Sequence, residues 1–238
     1  MLFEDFDLSD DLLDALYAMH FEECTPIQEQ AIPVVLDRRD LIAIAQTGTG
    51  KTAAYLLPVI DLLAELPEAD GFVNCIVMAP TRELAQQIER QMDGFSYYLP
   101  LSSIAVYGGT DGAGFARQQK GMKAGADVVI ATPGRLQALL QMGGIDLSKV
   151  RYFVLDEADR ILDMGFYDDI MAIAKLLPKE RQTLLFSATM PPKIRKLAQS
   201  LLNDPVEVKI APSRPVEKIK QSAIFCYEDD KQRTLTDI

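Results

Sequence analysis

Leu41-Ile42-Ala43-Ile44-Ala45-Gln46-Thr47-Gly48-Thr49-Gly50-Lys51-Thr52 is the stretch on which the fold of this chain turns. Five apolar residues run without a polar break, as in a strand covered on both faces. A loop with two glycines follows, and an amphipathic segment begins at Ala53. Glycines let the N–H groups of Gln46, Thr47, Gly48, Thr49 and Gly50 turn inward around phosphate oxygens, Lys51 can bridge the outer phosphates, and the Thr52 hydroxyl can ligate magnesium. The usual form of this loop has glycine where Ala45 stands. A Gly/Thr-rich turn carrying an exposed lysine would use the same letters, but the flanking strand and helix are what a phosphate loop requires.

A second apolar run, Tyr152-Phe153-Val154-Leu155, leads directly into Asp156-Glu157-Ala158-Asp159. Acids in the first turn of a helix meet its dipole favourably, which alone would account for them. With a phosphate loop upstream they gain a chemical reading. Asp156 holds a hydrated magnesium ion, and Glu157 orients or deprotonates an attacking water. One strand end with a phosphate loop and another with acids describe a nucleoside triphosphatase in which Lys51, Asp156 and Glu157 are catalytic and Thr52 and Asp156 hold the metal.

Outward from these two stretches, short apolar runs predict strands at 41–45, 75–79, 104–107, 127–131, 152–155, 183–186 and 206–210. Amphipathic segments between them predict helices at 53–65, 82–97, 135–141, 168–177 and 192–202. Such alternation implies an α/β fold, a parallel sheet of about seven strands with helices on both faces and ligands outside the strands' carboxyl ends. Ser9-Asp10-Asp11 and Thr25-Pro26 read as two helix starts ahead of the first strand. Ala211-Pro212-Ser213-Arg214-Pro215 reads as a linker, and Ile224-Phe225-Cys226-Tyr227 as a strand followed by a helix start. The expected division is one unit over 1–210 and, over 211–238, a linker and the first elements of a second.

Composition narrows the chemistry. Among 238 residues, 48% hydrophobic, His20 is the only histidine, which argues against a Ser-His-Asp triad and against histidine-rich zinc chemistry. Cys24, Cys75 and Cys226 are odd in number and far apart, so they form no disulfide framework and read as small buried or neutral residues. With 24 basic and 35 acidic residues the net charge is −11, so any nucleic-acid binding must use a few placed donors rather than bulk charge. No run approaches the ~20 apolar residues of a membrane span. The acidic start, Met1 to Asp7, lacks a secretory signal, and a cytoplasmic location is expected.

Seven motifs in order, the last six at strand ends, make the resemblance specific: Phe21 with Thr25-Pro26-Ile27-Gln28, Ala45 to Thr52, Pro80-Thr81-Arg82-Glu83-Leu84, Gly108-Gly109, Thr132-Pro133-Gly134-Arg135, Asp156 to Asp159, and Ser187-Ala188-Thr189. The chain resembles the amino-terminal motor domain of a DEAD-box RNA helicase over nearly its whole length, including alanine at position 45. That resemblance implies a RecA-like P-loop fold and ATP with Mg2+ as cofactors. It implies adenine recognition by Gln28, whose amide both donates and accepts, with Phe21 packed on the ring. Thr81, Arg82, Gly109, Thr132 and Arg135 correspond to contacts with the RNA backbone, although the threonines are also good helix caps. Ser187 and Thr189 are expected to bond the acidic loop and couple the nucleotide site to strand separation, with Asp159 as the inner partner.

The family's full helicases carry a second RecA-like domain whose arginines complete the site, and no His-Arg-x-Gly-Arg-x-Gly-Arg stretch stands in this sequence. The expectation is a fragment that binds ATP, ADP or AMP with magnesium but hydrolyses ATP weakly and does not unwind RNA by itself. A small-molecule P-loop kinase would need an arginine-rich lid, which is not found. A nucleotide-gated RNA clamp without turnover stays open as the alternative.

Overall fold

In a computed structural model, residues 1–66, 71–211 and 224–236 are described. Two helices, α1 (Asp10–Ala18) and α2 (Pro26–Leu36), precede an alternation of β1 (Leu41–Ile44), α3 (Lys51–Ala64), β2 (Cys75–Met78), α4 (Arg82–Phe95), β3 (Ser103–Val106) and α5 (Gly112–Lys123). It continues through β4 (Val128–Ala131), α6 (Pro133–Gln141), β5 (Tyr152–Leu155), α7 (Ala158–Asp163), α8 (Tyr167–Ala174), β6 (Gln182–Ser187), α9 (Pro192–Leu201) and β7 (Val206–Lys209). A last helix, α10 (Lys231–Thr236), follows a short 3-10 turn over Glu228–Asp230.

The seven strands form one sheet in the order β3-β4-β2-β5-β6-β1-β7, and every pairing is parallel. Side chains alternate across it. Leu41, Ala43, Cys75 and Val77 enter one buried cluster with Leu12, Leu16, Ile27, Ile32, Ile88 and Phe95 from α1, α2 and α4. Ile42, Ile44, Ile76 and Met78 enter the other, with Leu136, Ile161, Ile173 and Leu197 from α6 to α9. The strands read as unbroken apolar runs because both faces are covered.

All seven predicted strands form, shifted at most one residue at either end. Both early helices start as read, with Ser9 and Thr25 as N-cap residues. Two helices escaped the sequence reading. α5 contains three glycines and buries only Gln118 and Met122, so its apolar period is faint, and α7 has just six residues. The strand expected at Ile224–Tyr227 is not one: these residues lack regular structure and are exposed, and among the described residues no strand pairs with them. Of the expected linker, Pro212 to Pro215 lie outside the described residues. Cys75 is buried, Cys24 half-buried and Cys226 exposed. Among the described residues, no helix is long and apolar enough to cross a membrane.

Candidate functional site

β5, β6 and β1 are neighbours in a parallel sheet, so the chain leaves all three at the same edge. Strands lie about 4.8 Å apart, so the loops after β1 and β5 start about 10 Å from one another, with Ser187 between them. That places the phosphate loop and the acids on one edge.

The loop is built by its glycines. Gly48 and Gly50 sit at φ 83° and 90°, the left-handed region that side chains resist. A Cβ on Gly50 would come within 2.5 Å of Gln28 Nε2, whereas at Gly48 it would meet nothing within 4 Å. The Thr49 hydroxyl donates to Gln46 O at 2.7 Å and closes the turn. Gly50 then caps the 14-residue α3 without any side-chain acceptor, leaving that helix's first N–H groups for an anion. Lys51 is 6% exposed, and its ammonium donates to Ala45 O at 2.9 Å inside the loop. An amide cradle at a helix start, with an internal lysine, fits a nucleotide's phosphates.

Across β6, Asp156 is 2% exposed. Burial pushes its carboxyl up to about 6, opposed by a hydrogen bond from Tyr55 and by the positive charge of Lys51. The Tyr55 hydroxyl donates to Asp156 Oδ2 at 2.9 Å, and the Glu157 N–H donates to Oδ1 at 2.8 Å. Burial first, and the Asp156 charge second, hold the Tyr55 phenol protonated, while the nearby Thr52 side chain pulls the other way. Thr52, Tyr55 and Asp156 therefore join the loop to the acid. Tyr55 was missed in the sequence because it reads as one more apolar position of α3. Its spacing of four from Lys51 and three from Thr52 was the available signal.

Glu157 sits at φ 48° and ψ 51°, a left-handed conformation costing about 1 kcal/mol for a residue with a side chain. Its carboxylate pairs with Arg160 at 3.3 Å. A hydroxyl and one or two carboxylates beside a phosphate cradle suit magnesium, which is held by few protein ligands plus phosphate oxygens and its own waters. Among the described residues, no group of three or more His, Cys, Asp or Glu forms a protein-only metal cage.

The predicted coupling residues meet. Thr189 donates to Asp159 Oδ2 through its N–H at 3.0 Å and its hydroxyl at 2.9 Å. The Ser187 hydroxyl accepts from the Asp159 N–H at 3.3 Å and donates to Thr189 O at 2.8 Å. Ala45 N–H also donates to Ser187 O at 3.0 Å, so β6 holds the loop from the other side.

Gln28 is buried, its Oε1 accepting from Thr25 N–H at 2.8 Å and its Nε2 donating to Gly50 O at 3.1 Å. Each amide end keeps one further bonding position. The Thr25 hydroxyl beside it is buried with no partner. Phe21 is half-buried, edge-on to Phe95 at 5.3 Å and tilted against Phe3 at 6.3 Å.

The remaining candidates gather on the other half of the edge, after β2, β3 and β4. Thr81 caps α4 by accepting from Leu84 N–H at 3.3 Å, and Arg82 is exposed beside Glu83. Gly109, at φ 79°, lies against it: a Cβ there would be 3.2 Å from the Arg82 guanidinium. Thr132 caps α6 without a side-chain bond. Arg135 stacks at 4.1 Å over Phe115 and donates to Gln118 Oε1 at 2.9 Å and Thr110 Oγ1 at 3.1 Å. These three supports stand in or next to α5, which the sequence reading lacked.

Comparison with known proteins agrees with this geometry. The family model described as DEAD/DEAH box helicase matches residues 25–197. A Bacillus subtilis protein named DEAD-box ATP-dependent RNA helicase CshA is 42% identical over 98% of this chain and 46% of its own length. A Dictyostelium discoideum protein named probable ATP-dependent RNA helicase ddx3 is 41% identical over 99% of this chain and 35% of its own length. The chain thus spans less than half of these relatives. A crystal structure of a DEAD box protein from the hyperthermophile Methanococcus jannaschii superposes with a TM-score of 0.81 at 35% identity, covering 100% of this chain and 62% of that one.

Proposed function

The chain belongs to the DEAD/DEAH box helicase family, and we propose that it is the ATP-binding motor unit of an ATP-dependent RNA helicase. The observation that carries this reading is the meeting of the Lys51 loop, the Asp156 acids and the Ser187–Thr189 turn at the ends of three adjacent strands.

In this reading the loop amides and Lys51 bind the phosphates, the Lys51 ammonium exchanging Ala45 O for a phosphate oxygen. Thr52 and Asp156 would hold magnesium, which supplies neutralising charge at the outer phosphates. Glu157, fixed by Arg160 and by its backbone, orients a water toward the terminal phosphate and accepts its proton. Gln28 uses its spare donor and acceptor on adenine, with Phe21 against the ring. Because Gln28 also holds Gly50, base recognition reaches the phosphate loop directly.

Thr81, Arg82, Gly109, Thr132 and Arg135 bind the sugar–phosphate backbone of RNA and read no base edges. This local track reconciles RNA binding with a net charge of −11. Asp159, Ser187 and Thr189 link the two halves of the edge. Residues 1–210 form the motor unit and 211–238 lead toward a second RecA-like unit, which supplies the remaining cationic groups for turnover and duplex opening. The cytoplasm, where ATP and RNA meet, is the proposed location.

Calorimetric titration with ATP, ADP and GTP, with and without magnesium, tests the reading. Magnesium-dependent binding of ATP and ADP, tighter than GTP, is expected, and a non-hydrolysable ATP analogue should tighten binding of single-stranded RNA. Equal affinity for GTP removes the role of Gln28, and absence of magnesium-dependent nucleotide binding removes the whole proposal.

A further inference from the structure

We propose that Tyr55 is a positioning residue: its phenol fixes the Asp156 carboxylate so that the site prefers a hydrated magnesium ion to a larger divalent cation. This inference rests on the nucleotide-site reading and deepens it.

Tyr55 is 0% exposed and lies one turn along α3 from Lys51. Its ring packs on Phe186 of β6, with centroids 5.1 Å apart, so the phenol oxygen has little room to move. A buried phenol needs a hydrogen-bond partner. Here that partner is Asp156 Oδ2 at 2.9 Å, while the Glu157 N–H occupies Oδ1 at 2.8 Å. The carboxylate is therefore held at both oxygens, from a helix on one side and its own backbone on the other.

A carboxylate pinned in this way can still accept a hydrogen bond from a cation's water on a remaining lone pair. Gripping a bare ion with both oxygens would take the last lone pair of each and draw the carboxylate away from the Tyr55 and Glu157 donors. Magnesium retains several waters in a strict octahedron and suits the first arrangement. Calcium takes more oxygens at longer distances and commonly grips a carboxylate with both, which suits the second. Removing the phenolic oxygen frees Oδ2 and should shift the balance toward calcium, while phenylalanine preserves the packing on Phe186.

The test is Tyr55→Phe in the full chain, with binding of a fluorescently labelled ADP followed without metal and across magnesium and calcium titrations. Expected are metal-free affinity within about two-fold of the parent and half-saturating magnesium raised about ten-fold. Half-saturating calcium should change less, so the preference for magnesium narrows. Adding Tyr55→Phe to Asp156→Asn should produce no further shift, because the phenol acts through that carboxylate. Unchanged magnesium and calcium curves overturn the proposal, as does an additive effect in the double variant. A metal-free loss as large as the loss with magnesium also overturns it, by assigning Tyr55 to loop packing alone. If the parent chain itself shows no magnesium-dependent binding, the nucleotide-site reading fails first and this proposal falls with it.

Discussion

Thr189 reaches Asp159 Oδ2 twice, by its N–H at 3.0 Å and its hydroxyl at 2.9 Å, tying the chain after β6 to the acidic loop after β5. The bonds lie at the surface, so each contributes only about 0.5–1 kcal/mol to stability. Their worth is in geometry: they fix the turn that leads into α9 against the acids. Thr189→Val removes the hydroxyl bond and keeps the backbone one. Nucleotide affinity should stay within two-fold, while the factor by which an ATP analogue tightens RNA binding falls several-fold. RNA titrations with and without the analogue measure that factor, and an unchanged value would strip Thr189 of a coupling role.

Asp156 makes the site costly to the fold. Burial raises its carboxyl to about 6 in the native chain, against about 3.9 when unfolded. The native state thus binds the proton more tightly, so this group's favourable contribution is complete below pH 4 and lost as pH rises through 6. The gap between those two values corresponds to roughly 3 kcal/mol as an upper bound. In metal-free buffer, Asp156→Asn should therefore unfold about 1–2 kcal/mol less easily than the parent at pH 7.5, with the Tyr55 hydroxyl free to reorient. The advantage should vanish near pH 4, and half-saturating magnesium for nucleotide binding should rise well above the parent's. Thermal melts at both pH values decide it. A variant less stable than the parent at pH 7.5 would contradict the burial penalty.

The two loop glycines should respond differently to alanine. At Gly48 only the left-handed backbone resists, costing about 1 kcal/mol. At Gly50 the same strain combines with a methyl 2.5 Å from Gln28 Nε2, so either the Gln28–Gly50 bond breaks or the loop shifts. Gly50→Ala should cost about 2–4 kcal/mol and abolish nucleotide binding. Gly48→Ala should fold almost normally. Denaturant midpoints for the pair check the order, and equal losses would mean that the Gln28 contact does not constrain the loop.

These contrasts mark what the sequence could carry. The seven strands were legible because a doubly covered parallel strand is an uninterrupted apolar run, and 152–155 was placed to the residue. The glycine-rich loop over 46–52 and the acids at 156–159 were legible because particular letters stand at fixed spacing after an apolar run. Three-dimensional support was not. Tyr55 looks like core until β5 brings Asp156 against it, 101 residues away. The left-handed turn at Glu157 has no glycine to announce it. Helix α5, with little apolar surface, shows its purpose only where Phe115 and Gln118 flank Arg135.

Arg135 provides the sharpest separation of charge from placement. Burial tugs its pKa down, but the guanidinium stays charged, stacked on Phe115 and bonded to Gln118 and Thr110. If it binds an RNA phosphate, Arg135→Ala removes one neutralised charge, and the slope of log affinity against log salt should fall by about 0.7. Phe115→Leu removes the stacking platform and leaves the charge. Affinity should then drop a few-fold at every salt concentration with the slope unchanged. Gln118→Ala should behave as Phe115→Leu does, because both supports fix one guanidinium plane. RNA binding measured from 50 to 200 mM salt separates these cases. A slope that falls with Phe115→Leu would mean the phenylalanine alters how many phosphates are bound, and an Arg135→Ala slope equal to the parent's would place the RNA contact elsewhere.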